Sequence, residues 1–144
     1  MPGHDGIGEA VEAMLGRVVM TAGADEIVGI GVDIEVVERF RSDVRGLFTA
    51  AEQRYCLEQP DTAEAFAGTW CAKEATVKAL TGWRLVSLRE VEVVRAGNGA
   101  PSMTVVGQPS APTVYVSIAH ASSMALAVAV ATVPAPIPRV EVNS

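Results

Sequence analysis

The chain has 144 residues, a length that suits one domain with a substantial core. Apolar residues make up 49% of it but aromatic residues only 5%, so Ala, Val, Ile and Leu must fill that core. Eleven Lys and Arg against seventeen Asp and Glu give a net charge of -6, which argues against nucleic acid or an anionic membrane as the main partner. The two cysteines and two histidines lack metal-ligand spacing, and no apolar run reaches ~18 residues. We therefore expect a cytoplasmic protein with reduced cysteines, no zinc site, no signal peptide and no spanning helix.

The first segment, residues 1–26, is predicted to be a helical extension. Apolar side chains recur at helical spacing from Ile7 to Met20, with Asp5 as the N-cap and Gly23 as the stop. This helix packs on the domain, contacts a neighbouring subunit, or forms a semi-detached extension. The sequence leaves these alternatives open.

A short apolar strand is predicted from Ile27 to Val32. Gly29 and Gly31 interrupt it, which suits a buried strand that another element approaches closely. The third glycine of the dinucleotide-binding pattern is missing, which argues against a Rossmann site. Asp33 follows at once and is interpreted either as the N-cap of a helix from Ile34 to Arg45 or as a metal ligand.

Basic residues are concentrated in the next segment, at Arg39, Arg41 and Arg45. They form either a solvated helical face or a docking surface for an acidic protein, because like charges held together cost stability unless something neutralises them. Thr49 and Glu52 then have the spacing of a capping box and predict the start of another helix.

The central prediction is a helix over Phe66 to Leu80, with the sequence FAGTWCAKEATVKAL. Its bulky apolar stripe includes Trp70, and Lys73, Glu74 and Lys78 fall on a neighbouring face. Glu74 and Lys78 are four residues apart, so their side chains are expected to meet. One interpretation is that Glu74 and Lys78 form a common exposed ion pair, worth about 0.2 to 0.5 kcal/mol. The other is that the carboxylate of Glu74 and the ammonium groups of Lys73 and Lys78 hold a divalent cation and a phosphate together.

Strands dominate the remainder of the chain. The alanine-rich final run also permits a helix, but its apolar residues alternate as a strand requires. The order of strand, helices and strands predicts an α+β fold. The predicted elements are strands at Val86 to Val94, 102–107, 113–120 and 124–133, a turn at 97–101, and a proline-rich tail at 134–144.

Three segments in this order resemble the holo-acyl-carrier-protein synthase group of 4'-phosphopantetheinyl transferases. They are GIGVDIEVVER at 29–39, FAGTWCAKEATVKAL at 66–80 and VSIAH at 116–120, and Trp-x-x-Lys-Glu-Ala-x-x-Lys-Ala is the specific part. The resemblance covers residues 27–133, which we take as the transferase domain. It implies the α+β fold of that group, with an antiparallel sheet wrapped around a long central helix.

The resemblance also implies an activity. A member of the group transfers the 4'-phosphopantetheine of coenzyme A to a serine of an acidic acyl or polyketide carrier protein, with Mg²⁺, and releases adenosine 3',5'-bisphosphate. Fatty acid or polyketide biosynthesis would be its setting, and a homotrimer with active sites between subunits its assembly. The alternative is a catalytically weakened member that serves as a binding or assembly module, and a third, weaker hypothesis is another Mg²⁺-dependent nucleotide-binding enzyme.

By position, the resemblance assigns roles to individual residues. Asp33 and Glu74 match the Mg²⁺ ligands, and together with Lys78 they form the catalytic set. Lys73, Lys78 and His120 match the coenzyme A contacts. The serine proton would pass to Glu74 or to a water on the metal.

Carrier recognition is assigned to Arg39, which matches an arginine that meets the acidic helix of the carrier, with Arg41 and Arg45 extending the patch. Two positions depart from the family pattern. Thr69 stands where an arginine is common, and Leu80-Thr81-Gly82-Trp83 replaces the usual Gly-Thr-Gly. Weaker nucleotide binding is the expected consequence, unless Arg84 compensates for the lost charge.

Overall fold

A computed structural model describes residues 8–14 and 25–135 of the chain. Three 3-10 turns accompany the main elements in these ranges, at Val37–Phe40, Arg45–Leu47 and Leu88–Glu90. In chain order the main elements are helix α1 (8–14), strand β1 (Glu26–Val36), helices α2 (Ala50–Leu57) and α3 (Thr62–Ala79), and strands β2 (Val91–Arg95), β3 (Pro101–Val105), β4 (Thr113–Ala121) and β5 (Met124–Val133).

The fold is α+β, as predicted, and α3 is its central element. One antiparallel sheet has the strand order β1-β5-β4, and β2 and β3 form a second, two-stranded sheet. Helix α3 contacts strands of both sheets and also packs against α2. The two sheets and α2 therefore enclose the long helix.

Small residues allow β1 to lie directly against the backbone of α3. A Cβ atom added to Gly29 would lie 1.7 Å from the carbonyl oxygen of Ala79, and one added to Gly31 would lie 1.9 Å from that of Ala75. Both distances are impossible for a real side chain. The predicted close approach at these two glycines is confirmed. On β5, the residues that alternate toward the core are all alanines, at positions 125, 127, 129 and 131.

The predicted helix from Ile34 to Arg45 is wrong, because β1 continues to Val36. That strand pairs with β5 along its length, with Asp33 opposite Ala127. Asp33 therefore lies within a strand, and its interpretation as a helix cap is excluded. Only the 3-10 turns Val37–Phe40 and Arg45–Leu47 remain of the helix.

The two predicted hairpins are confirmed, with a later start for the first. Residues Leu88–Glu90 form a 3-10 turn, so β2 begins at Val91 rather than Val86. Ser122 takes a φ of 56° in the turn between β4 and β5. The alanine-rich final run is a strand, as its alternation indicated.

The first helix packs against the face of β5 that points away from α3. Met14 is buried against Leu126 and Val128, with Val11 partly buried beside them. The rest of the predicted Ile7 to Met20 helix lies outside the described residues, as does the tail beyond residue 135. Within the described ranges, no helix has both the length and the apolar character needed to cross a bilayer.

Candidate active site

The candidate site lies where β1 faces the C-terminal half of α3. Alternate residues of a strand share one face, so Asp33 and Glu35 point to the same side as the two glycines that touch α3. Trp70 and Lys78 of α3 hydrogen-bond to these two acidic residues. Because β1 extends to Val36, both Asp33 and Glu35 lie against the helix.

Lys78 reaches from α3 to β1. Its ammonium lies 3.1 Å from Oδ1 of Asp33 and donates to the carbonyl of Val32 at 2.8 Å, and half of the side chain stays exposed. The other carboxylate oxygen of Asp33, Oδ2, is buried and has no hydrogen-bond partner among the described residues. No Glu74–Lys78 ion pair within 4 Å forms in that part of the chain, contrary to the expectation that these side chains would meet.

The pKa of Glu74 responds to burial and to the negative charge of a second carboxylate, that of Asp33. Burial raises its pKa, and the negative charge of Asp33 raises it further, while Lys78 offsets only part of the effect. The pKa of the neighbouring Cys71 thiol is also raised, first by burial and then by Asp33. Lys78 follows Glu74 by one helical turn and contacts Asp33, so the two carboxylates lie on the same side of the site. The raised pKa of Glu74 is consistent with negative charge that Lys78 offsets only in part.

This arrangement fits Mg²⁺. Mg²⁺ is typically bound by one or two carboxylates and completes its octahedral shell with water and substrate phosphate oxygens. The buried, unpartnered Oδ2 of Asp33 is an acceptor that a cation would satisfy. Across residues 8–14 and 25–135, no cluster of three or more His, Cys, Asp or Glu side chains forms a metal cage. The residues present could thus supply two ligands and leave the other positions open.

Lys73 does not join this site. Its side chain is only 1% exposed, and its ammonium pairs with Oε1 of Glu52 at 2.7 Å. Glu52 also accepts hydrogen bonds from the backbone N–H groups of Val93 and Thr49, each at 2.8 Å, and the predicted capping box is present. Lys73 therefore ties α3 to α2 and β2, and this placement argues against its assignment to coenzyme A.

His120 lies at a separate position, beside the first half of α3. One ring nitrogen, Nε2, lies 3.0 Å from the carbonyl oxygen of Glu64, and a Cβ on Gly68 would come within 2.9 Å of it. Ten residues of helix separate Glu64 from Glu74, which is about 15 Å at 1.5 Å per residue. A single ligand could therefore contact both His120 and the carboxylates of Asp33 and Glu74 only if it were extended, with one end at each position.

A cavity of about 430 Å³ opens beside His120. Arg95 enters it from β2, with its guanidinium 4.3 Å from the ring centre of Tyr55. Its Nη1 donates to the carbonyl of Gly99 at 3.3 Å, and its Nε is buried without a partner in the described part of the chain. Its lining also includes Gln59, Ile118 and the acidic residues Asp61 and Glu64.

The arginine expected at position 69 has no counterpart there. Thr69 is buried, and its hydroxyl lies 3.4 Å from the sulfur of Cys56. Arg84, named above as a substitute, pairs with Glu90 at 3.0 Å and lies over the ring of Trp83. The charge of Arg84 is thus already paired with that of Glu90, which argues against Arg84 as the substitute.

Each of the three arginines of the predicted docking patch already has an acidic neighbour. Arg39 pairs with Glu35 at 2.7 Å, Arg41 with Glu38 at 2.8 Å, and Arg45 lies 3.6 Å from Asp43. The patch is consequently less positive than the sequence suggested. Beside it lies a cavity of about 680 Å³ whose wall includes two of these arginines, together with Phe40, Val44, Leu57 and Phe66.

Sequence reasoning missed Glu35 and Arg95. Glu35 follows Asp33 by two residues, so a longer predicted strand would have placed both on one face. Arg95 ends a strand that is remote in sequence from α2 and β4, and no local pattern indicates its position.

Comparison with known proteins supports the resemblance. Residues 29–131 match the model of the 4'-phosphopantetheinyl transferase superfamily. A holo-[acyl-carrier-protein] synthase of Gloeobacter violaceus is 43% identical over 76 residues, which cover 51% of this chain and 58% of that protein. A fatty acid synthase subunit alpha of Candida parapsilosis is 38% identical over 106 residues, covering 64% of this chain but only 6% of that protein. The chain thus spans less than two thirds of either relative.

Solved structures of similar proteins also support the resemblance. The acyl carrier protein synthase of Mycobacterium tuberculosis is 31% identical, with a TM-score of 0.63 over 76% of this chain and 100% of that one. A holo-(acyl-carrier-protein) synthase from Bacillus anthracis, in complex with CoA (3',5'-ADP), is 26% identical, with a TM-score of 0.61 over 74% of this chain and 96% of that one.

Proposed function

This chain is a member of the 4'-phosphopantetheinyl transferase superfamily, and from that premise we propose that it transfers 4'-phosphopantetheine from coenzyme A to a serine of a carrier protein. The observation that carries the proposal is the pair of incompletely neutralised carboxylates, Asp33 and Glu74, next to the ammonium of Lys78. Such a site suits phosphoryl transfer, in which positioning and charge neutralisation supply most of the acceleration.

Asp33 and Glu74 would hold Mg²⁺, which would neutralise charge on the pyrophosphate of coenzyme A. In the reaction, the serine hydroxyl gives its proton to Glu74 or to water and its oxygen forms a bond to the β-phosphorus. The bond from that phosphorus to the bridging oxygen breaks, and adenosine 3',5'-bisphosphate leaves. The side chain of Lys78 is half exposed, so its ammonium can turn from Asp33 toward a phosphate oxygen and stabilise the charge that develops there.

We propose that the nucleotide end of coenzyme A binds in the cavity beside His120, which has a volume of about 430 Å³. Arg95, rather than Arg84, would supply a cation there, because its guanidinium lies 4.3 Å from the ring centre of Tyr55 and its Nε has no partner among the described residues. The side chain of Glu64, 3.5 Å from Nδ1 of His120, limits the positive charge of this cavity. We expect Arg95→Ala to raise KM for coenzyme A several-fold with little change in kcat, and an unchanged KM would remove Arg95 from the site.

The direct test is transfer itself. The protein is incubated with coenzyme A, Mg²⁺ and purified apo carrier protein, and the carrier is weighed by mass spectrometry. We expect the addition of one phosphopantetheine, the loss of that addition in Asp33→Asn and Glu74→Gln, and its retention in the control Glu26→Gln. If no apo carrier protein gains the mass, the proposal fails.

A second function is favoured by one observation, the buried Thr69 in place of a cation. A member with a weakened nucleotide site would serve as a binding or assembly module. Calorimetry with coenzyme A and Mg²⁺ separates the two, since tight metal-dependent binding contradicts a degraded site.

A homotrimer is the proposed assembly, with active sites between subunits. Its support is the outer face of β1, where Ile30, Val32, Ile34 and Val36 are exposed by 38 to 50% on an edge strand. Light scattering should give three times the chain mass. Ile34→Lys should dissociate the assembly, while Leu85→Lys, at an apolar residue 82% exposed elsewhere, should not.

The proposed partner is a carrier protein. An acidic acyl or polyketide carrier would dock through Arg39, Arg41 and Arg45, in the cytoplasm, within fatty acid or polyketide synthesis. We take residues 27–133 as the transferase domain, and most of the proposed helical segment 1–26 and of the proposed tail 134–144 lies outside the described residues. Arg39→Ala should raise KM for the carrier, and Arg89→Ala, an equal change of charge at another exposed site, should not.

A further inference from the structure

Arg39 is held by three neighbours, although more than half of its side chain is exposed. Its Nη1 donates to Oε1 of Glu35 at 2.7 Å, and its guanidinium carbon lies 5.7 Å from the ring centres of both Phe40 and Trp70. An exposed arginine usually samples many rotamers. Here a hydrogen bond and two aromatic faces restrict it.

Glu35 is itself fixed. The indole N–H of Trp70 donates to the same oxygen, Oε1, at 3.2 Å, and the Glu35 side chain is only 18% exposed. Trp70 is 8% exposed, and its ring contacts those of Phe40 and Phe48. A buried indole therefore orients a carboxylate, and the carboxylate orients the guanidinium.

Within residues 8–14 and 25–135, Arg39 keeps donors that no acceptor uses. The hydrogen bond to Glu35 uses Nη1 alone, which leaves Nε and Nη2 for a carboxylate of a partner. The other two arginines of the docking patch differ in this respect, because the nearest acidic neighbours of Arg41 and Arg45, Glu38 and Asp43, are themselves 76 and 79% exposed. A second carboxylate near Arg41, that of Asp61, is 45% exposed and lies 3.9 Å away. Arg39 is thus the member of the patch whose acidic partner is both mostly buried and in short hydrogen-bond contact.

From these contacts we propose that Glu35 is a positioning residue for carrier recognition: with Trp70, it holds Arg39 in the conformation that an acidic carrier engages. The physical basis is preorganisation, because an arginine that is already ordered loses less side-chain entropy when a partner binds. This inference rests on the proposed function, in which Arg39 meets the carrier.

A double-mutant cycle on carrier kinetics tests the inference. Glu35→Ala should raise KM for the apo carrier about three- to tenfold, which is the range expected for ordering one long side chain. In an Arg39→Ala background the same substitution should leave KM for the carrier unchanged, because the residue that Glu35 positions is gone. Equal effects in both backgrounds would overturn the proposal.

Two further variants separate geometry from charge. Glu35→Gln keeps an oxygen that accepts from both Arg39 and Trp70, so it should preserve a near-normal KM for the carrier. Glu26→Ala removes the same charge at the opposite end of β1 and should also leave KM unchanged. If Glu35→Gln is as impaired as Glu35→Ala, the effect is one of charge, and the positioning role is refuted.

A readout that does not need activity keeps the inference distinct from the proposed function. The ¹⁵N relaxation of the guanidinium Nε–H should show Arg39 to be more ordered than Arg41 in the wild-type protein, and Glu35→Ala should abolish the difference. Equal mobility of the two arginines in the wild type would overturn the inference whether or not the protein transfers phosphopantetheine. An ordered Arg39 in a protein without transferase activity would instead refute only the proposed function.

Discussion

Replacing Lys73 by methionine removes the cation from a buried ion pair and leaves the carboxylate of Glu52 enclosed. Both side chains are almost fully buried, at 1 and 0% exposure. Breaking a buried pair on one side typically costs about 3 to 5 kcal/mol, because the remaining charge is uncompensated. Glu52 keeps its two backbone N–H donors, Val93 and Thr49, so we expect about 3 kcal/mol, the lower end of that range.

Urea unfolding at 25 °C, followed by circular dichroism, measures this loss. Arg89→Met is the control, since the loss of a cation at an exposed position should change stability by less than about 1 kcal/mol. The double variant Lys73→Met with Glu52→Gln should recover part of the stability, because no charge is then buried alone. A Lys73→Met protein of normal stability that had lost its affinity for coenzyme A would refute the structural role and restore the nucleotide assignment.

Two other substitutions test the packing of β1 against α3 and the charge of the Asp33 and Glu74 carboxylates. Gly31→Ala should prevent folding, measured as loss of soluble protein and of cooperative unfolding, because its Cβ would lie 1.9 Å from the carbonyl of Ala75; Gly46→Ala, with open space around its Cβ, should fold normally. Glu74→Gln should stabilise the metal-free protein at pH 7, because burial and Asp33 raise the pKa of Glu74 and so disfavour its ionised form in the folded state. The penalty of the ionised carboxylate is absent below its ordinary pKa of 4.5 and grows as pH rises, so the gain should vanish near pH 4 in urea titrations at both pH values. An equal gain at both pH values would contradict this sign.

Local patterns were sufficient where the chain makes local structure. The capping box of Thr49 and Glu52 and the strand alternation of the final run each depend on residues a few positions apart, and both are present. The two glycines of β1 also predicted a close approach, although the sequence did not say which element would approach.

The errors came from pairing between distant segments. Asp33 resembled a helix cap because an apolar strand ended beside it, but pairing with β5 carries the strand to Val36 and places Glu35 on the site face. Lys73 and Glu74 are adjacent, yet one is buried against Glu52 and the other faces β1. Helical spacing alone could not distinguish these faces, because α3 is enclosed on several sides and both faces meet other elements.

The central claim is that Asp33 and Glu74 bind one divalent cation together. Electron paramagnetic resonance of Mn²⁺, titrated into the protein in the presence of coenzyme A, measures this directly. We expect one site per chain in the wild type and an affinity about tenfold weaker or more in both Asp33→Asn and Glu74→Gln, with circular dichroism unchanged. Mn²⁺ affinity that is unaffected by either substitution would contradict the account.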